Sequence, residues 1–167
     1  MAVVTVKSTQ ITNRDATPRV LNTGRIAGGR VQHACGAVVI TSGDSIGSKY
    51  IACSIPSNAV PISVRITAPD IGTTTAGDVG LYRTTDDLGT VVDADVFASA
   101  QALNAGPYTK TELLYESGVT TIANGEKPLW EILGLTSDPR VLYDVVLTLT
   151  GAADGTGTAL LEVDYTV

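Results

Sequence analysis

The strongest constraint on this chain is an alternation of period two that returns in segment after segment. Ile62, Val64, Ile66 and Ala68 alternate with Ser63, Arg65 and Thr67. An extended backbone places the first set on one face and the second on the other, so a half-buried strand is expected, with Ile62 among its core residues. Ile51, Cys53 and Ile55 alternate in the same way with Tyr50, Ala52 and Ser54. Pro56-Ser57-Asn58 then supplies turn chemistry, and the two strands are expected to form a connected β unit. Near the C-terminus Tyr143, Val145, Leu147 and Leu149 make one face, and Leu161, Val163, Tyr165 and Val167 make another. Residues 151–157, glycine at both ends, read as the hairpin loop between them. Further strands are expected at 31–41, 78–83 and around 113–122, which brings the total to seven or eight at the spacing of a sandwich.

Residue usage agrees with this pattern. Apolar residues are 44% and charged residues 17% of 167, and Met, Phe and Trp occur once each. Thr, Val and Gly suit pleated, half-buried surfaces and tight turns. A chain of this length buries roughly 70% of its unfolded surface, enough for a core without staples. The expected fold is all-β: a sandwich, with a jelly roll the preferred topology, one or two short helices and an extended N-terminal arm. Two segments depart from the period of two. In 95–103, Val96, Phe97, Ala100 and Leu103 share a helical face, with Asp93 or Asp95 as N-cap. In 127–134, Pro128 and Gly134 punctuate a short helix whose Trp130 is expected to cap one end of the core.

The net charge of −6 conceals an asymmetry. In residues 1–30, Lys7, Arg14, Arg19, Arg25 and Arg30 face only Asp15, a charge of +4; the other six cations face sixteen carboxylates, a charge of −10. The first thirty residues hold no sustained apolar period and read as an extended basic arm, with the sandwich body at 31–167. Thirty extended residues reach about 100 Å, well beyond a domain of this size. Basic arms seek acidic partners. Five dispersed cations without interleaved aromatic residues make a poor base-stacking platform, so an acidic protein surface is favoured over nucleic acid, the bland alternative being a disordered tail. The opening residues lack the pattern of a secretory leader, and no window approaches 18 apolar residues, so synthesis and assembly in a cytosol are expected.

His33 is the single histidine and sits two residues from Cys35 on one strand face, an awkward geometry for attack; a packing role is expected. Cys35 and Cys53 are expected in the core, as small hydrophobes in a reducing compartment. His33, Cys35 and Cys53 lack paired zinc-ligand spacing. Asp86, Asp87, Asp93 and Asp95, on either side of 88–92, lack the grammar of a calcium loop and suit turns and caps. Residues 24–29 follow no buried strand and do not make a phosphate cradle. No pair of carboxylates stands out for glycoside cleavage. The expectation is no catalytic residue, no metal and no cofactor: not an enzyme.

Three stretches, GDSIGSKYIACSIPSNAVPISVRI, DVGLYRTTDDLGTVVDADVFASA and KPLWEILGLTSDPRVLYDVVLTLT, together resemble the cement or head decoration proteins of short-tailed (podovirus-type) bacteriophages. The resemblance covers about residues 36–167. It implies a jelly-roll or β-sandwich body on the outside of the phage head, stabilising the expanded capsid, made in the bacterial host and carried in the virion. It implies the major capsid protein and other copies of this chain, as dimer or trimer, as partners, with neither membrane nor specific nucleic acid. Lys7, Arg14, Arg19, Arg25 and Arg30 are the expected capsid-contacting cations, because arginine pairs carboxylates bidentately at interfaces. The alternative reading is a virion sandwich module that binds host-surface glycan through Tyr50, Tyr82, Tyr108 or Tyr115.

Overall fold

The computed structural model describes residues 3–87 and 89–167; Met1 and Ala2 of the expected arm, and Leu88 of the acidic run, lie outside the described residues. Eight strands follow one another: β1 (Gln32–Ile40), β2 (Lys49–Pro56), β3 (Val60–Ala68), β4 (Ala76–Arg83), β5 (Val91–Ala102), β6 (Tyr108–Glu112), β7 (Leu142–Gly151) and β8 (Gly157–Thr166). They form two four-stranded antiparallel sheets, ordered β1-β8-β3-β6 and β2-β7-β4-β5. This is the eight-stranded jelly roll, two Greek keys folded face to face. The alternating apolar faces meet between the sheets, where Ile40, Ile55, Val64, Ile66, Leu81, Phe97, Tyr143, Leu147, Leu161 and Val163 lose nearly all solvent contact.

Where the structure departs from the sequence-based expectation, the cause is a bulge or a crossing. Ile62 is half exposed. The register of β3 against β8 shifts between Pro61 and Ser63, which turns Ile62 out to solvent and puts Val60 inside. Ile51 is turned out likewise, beside a shift between Ile51 and Cys53. Residues 151–157 are not a hairpin: β7 pairs with β2 and β4, β8 with β1 and β3, and the loop crosses between sheets.

The expected helix over 95–103 is strand β5. Opposite β4, Val79 pairs with Ala98 and Leu81 with Asp93, so β5 carries extra residues in a large bulge. Val96, Phe97 and Ala98 are consecutively buried there, and this broken alternation is what imitates a helical spacing. Gly80 makes the bulge possible, because a Cβ on it would lie 2.2 Å from the Ala94 and Asp93 backbone. The carbonyl of Val96, freed from the ladder, accepts hydrogen bonds from Ser117 Oγ (3.1 Å) and Thr120 Oγ1 (3.0 Å).

Those bonds also explain why 113–122 is not a strand. Pairing with β3 stops at Glu112, whose carboxylate accepts the backbone N–H groups of Val64 and Leu114. Leu113 and Leu114 then turn into the core. The second expected helix is present as α2 (Leu129–Ile132), with Pro128 as its N-cap and Gly134 at φ 72° past its end. Its Leu129 is fully buried and its Trp130 only partly, so Leu129 closes this end of the core. The N–H groups of both donate to the β2–β3 turn, at Ala59 and Ser57.

Candidate functional site

His33 lines an open surface cleft of about 400 Å³ with Arg30, Val31 and Gln32. His33 is exposed on β1, its Nδ1 2.7 Å from an Asp164 carboxylate oxygen, and Arg65 pairs with the same carboxylate from the other side. The His33 hydrogen bond, with help from Arg65, holds the Asp164 carboxyl below its ordinary range. His33 is therefore a surface hydrogen-bond partner of Asp164, not the packing residue expected. Both are free thiols: Cys53 is half-buried and packs against the core, as expected in part, whereas Cys35 is exposed and is not the core residue expected. Burial, with the nearby charges of Cys35 and Asp144, pushes the Cys53 thiol up to about 11. Among the described residues, no group of three or more His, Cys, Asp or Glu side chains is placed to hold a metal ion.

The acidic run is divided between two tasks. Asp86 and Asp87 lie in a 3-10 turn, with Asp87 3.2 Å from Arg83. Asp93 and Asp95 lie on β5, where burial and a hydrogen bond to Asp95 raise the Asp93 carboxyl. The candidate sugar-stacking tyrosines are largely engaged. Tyr50 donates to Asp44, Tyr82 is buried with Lys49 Nζ 4.7 Å above its ring, and Tyr115 is about half exposed.

The basic arm is partly structured. Ser8 caps α1 (Thr9–Asp15), its hydroxyl accepting from the Ile11 N–H, so the arm is not extended throughout. Asn13 and Asn22 bond to each other at 2.8 Å, and the Val20 N–H donates to the Asn13 carbonyl, folding 8–22 into a small hook. Lys7 and Arg14 both bond Asp15, at 2.9 and 2.8 Å, and hold its carboxyl down at about 2. Arg19 lines a cleft of about 250 Å³ with Gln10, Ile11, Arg14 and Asn22 of the hook and with Ala27 beyond it. Arg25 is half-buried where its carbonyl accepts from Thr166, and its charge reaches Asp138. Arg30 is exposed beside the start of β1. The five cations are thus strung along the arm and do not converge on one pocket.

The arm's hydrogen bonds and ion pairs stop at its own residues from 3 to 22, among those described. It also leaves Val3, Val4, Val6 and Leu21 largely in solvent. Sequence reasoning identified the arm by charge and missed these apolar residues, although VVTV stands plainly near the N-terminus. Exposed valines without a local partner are a signal of docking, more so than scattered cations.

No protein-family model matches the chain, and no curated protein matches it. Among solved structures, the fold is similar to that of a chain described as "Cyanophage Pam1 capsid asymmetric unit", with a TM-score of 0.57 and 19% sequence identity. The match covers 89% of this chain and 93% of that one. The likeness establishes the fold over nearly the whole length of both chains.

Proposed function

We propose that this protein is a structural component of a bacteriophage virion that binds the outer surface of the head and stabilises the capsid. The observation that carries this reading is the shared jelly roll with a chain of a phage capsid, matched over almost the full length of both. The sequence resemblance to head decoration proteins and the separately built basic arm support it. In this reading the body lies on the major capsid protein and the arm reaches a neighbouring subunit. Each contact is modest, and repetition over the shell makes attachment strong. The reading assigns the protein no catalytic role.

Arg19 and Arg30 are the first candidates for capsid carboxylates, since both are exposed. Lys7 and Arg14 share Asp15 and would exchange it for a shell carboxylate, whereas Arg25 fixes the base of the arm to the body.

Co-sedimentation with expanded, undecorated heads of the cognate phage tests this reading. The full chain should bind saturably, and the Arg19→Glu/Arg30→Glu variant should bind at least tenfold more weakly at low salt. No binding by the full chain at any salt concentration overturns the proposal.

A further inference from the structure

The sandwich has four edge strands, β1, β6, β2 and β5. Natural sheets blunt such edges with bulges, charges or proline, because bare N–H and C=O groups invite another strand. Three of the four are blunted here. The pairing of β5 with its neighbour shifts register three times and that of β2 once. β6 is five residues long, shifts register once and holds Lys110 at φ 50°. β1 is different: it keeps nine consecutive pairs with β8 without a shift. It contains no proline and no Lys, Arg, Asp or Glu. Among the described residues no second strand pairs with β1, although the Ala52 backbone of β2 packs against Gly36 on its inner face.

The rim beside β1 is also apolar. Ile46 and Ile51, in the β1–β2 connection and in β2, are each more than half exposed, whereas Val39 stands on the outer face of β1 with His33 and Cys35. The same chain carries an unpartnered segment whose valines suit a strand. Residues 3–7 belong to no helix or strand, and Val4 and Val6 stand 75% and 87% exposed. Paired as a strand, the segment would put Val4 and Val6 on one face and Val3, Thr5 and Lys7 on the other. The segment belongs to a +4 arm and the body carries −10, so the arm of one copy is attracted to the body of another.

We propose that residues 3–7 of one copy add as a fifth strand to the free edge of β1 in a second copy. Val4 and Val6 turn toward the apolar rim, and Thr5 and Lys7 join His33 and Cys35 on the outer face. Main-chain hydrogen bonds supply the affinity and the alternating side chains the register, as in other β-augmentation. The occupant is a second copy of this chain, and the contact is independent of any shell.

The exposed Cys35 thiol provides the test. In a Cys53→Ser background, tagged and untagged full-length chains are mixed and gently oxidised. Same-face side chains on adjacent strands lie about 5 Å apart, within disulfide reach. Thr5→Cys should yield tagged–untagged disulfide dimers that vanish with Cys35→Ser, and Val4→Cys should yield at least fivefold less. As a second measurement, the β1 amides of the otherwise unmodified chain should exchange more slowly as concentration rises, an effect lost in Val4→Pro. Equal cross-linking by both cysteines, or cross-links only within one chain, overturns the proposal. So does β1 exchange that is independent of concentration. Because no heads are present, these outcomes are separate from failure of capsid binding.

Discussion

Asp154 joins the two crossing loops at one end of the sandwich. Its carboxylate accepts from the N–H groups of Thr73 and Thr74, at 2.8 and 3.1 Å, and from the Thr73 hydroxyl. These bonds hold it well below its ordinary value of 3.8, the Thr73 side chain first. Asp44 is lowered by Tyr50, Asp138 by Ser57 and Asp164 by His33. In each case the unfolded chain takes up the proton more readily than the folded one. The stability involved is therefore complete above about pH 5 and is lost as pH falls through the ordinary value of 3.8 and then the lowered values. The urea midpoint should be flat from pH 7 to about 5 and fall steadily below about 4. Asp154→Ala should lower the midpoint at pH 7 and shallow the acid slope. A variant with the wild-type slope would remove Asp154 from this account.

At the scale of elements, β5 is the instructive case. Its neighbour β4 offers Gly80, against which the β5 backbone packs with no room for a Cβ, and this approach lets Phe97 enter the core at full burial. Phe97→Ala should cost about 3–5 kcal/mol in urea unfolding, the range for deleting a buried phenyl ring. Gly80→Ala should cost about 1–3 kcal/mol by forcing the two strands apart. If Gly80→Ala is neutral, the close approach of β4 and β5 is not what holds the bulge.

At the scale of the whole molecule, among the described residues the hydrogen bond from the first thirty residues to the sandwich lies near their end. Beyond residue 22 the arm is fastened by Thr166 to the Arg25 carbonyl, and Gly29 packs against the Gly24 backbone and the Thr166 side chain. Before residue 23 the arm's polar contacts are its own. At dilutions where copies do not associate, a chain starting at Thr23 should melt within about 1 °C of the full chain. One starting at Val31 should melt about 1–3 °C lower, the shift for losing roughly 0.5–1 kcal/mol in a domain of this length. Scanning calorimetry distinguishes these outcomes. A large drop for the first truncation would mean that the hook is part of the cooperative core.

Strand identity was legible in the sequence because a half-buried strand needs alternating side chains, and six of the eight strands carry that period, in whole or in part, at the expected places. The α2 stop at Gly134 and the charge split between arm and body were legible for equally local reasons. What only the tertiary structure decided concerns residues far apart in the chain. Only β4 and β5 are both consecutive and paired, so the other connections leave one sheet for the other, and nothing in a loop such as 151–157 records which sheet its next strand joins. The bulges that expose Ile62 and bury Val96 beside Phe97 arise from registers with distant strands. The bare edge of β1 is of the same kind: its composition is local, but its lack of a partner follows from where β8 and β2 lie. Alternation therefore determined the β class of this protein, and pairing between remote strands decided its faces, its edges and its candidate docking site.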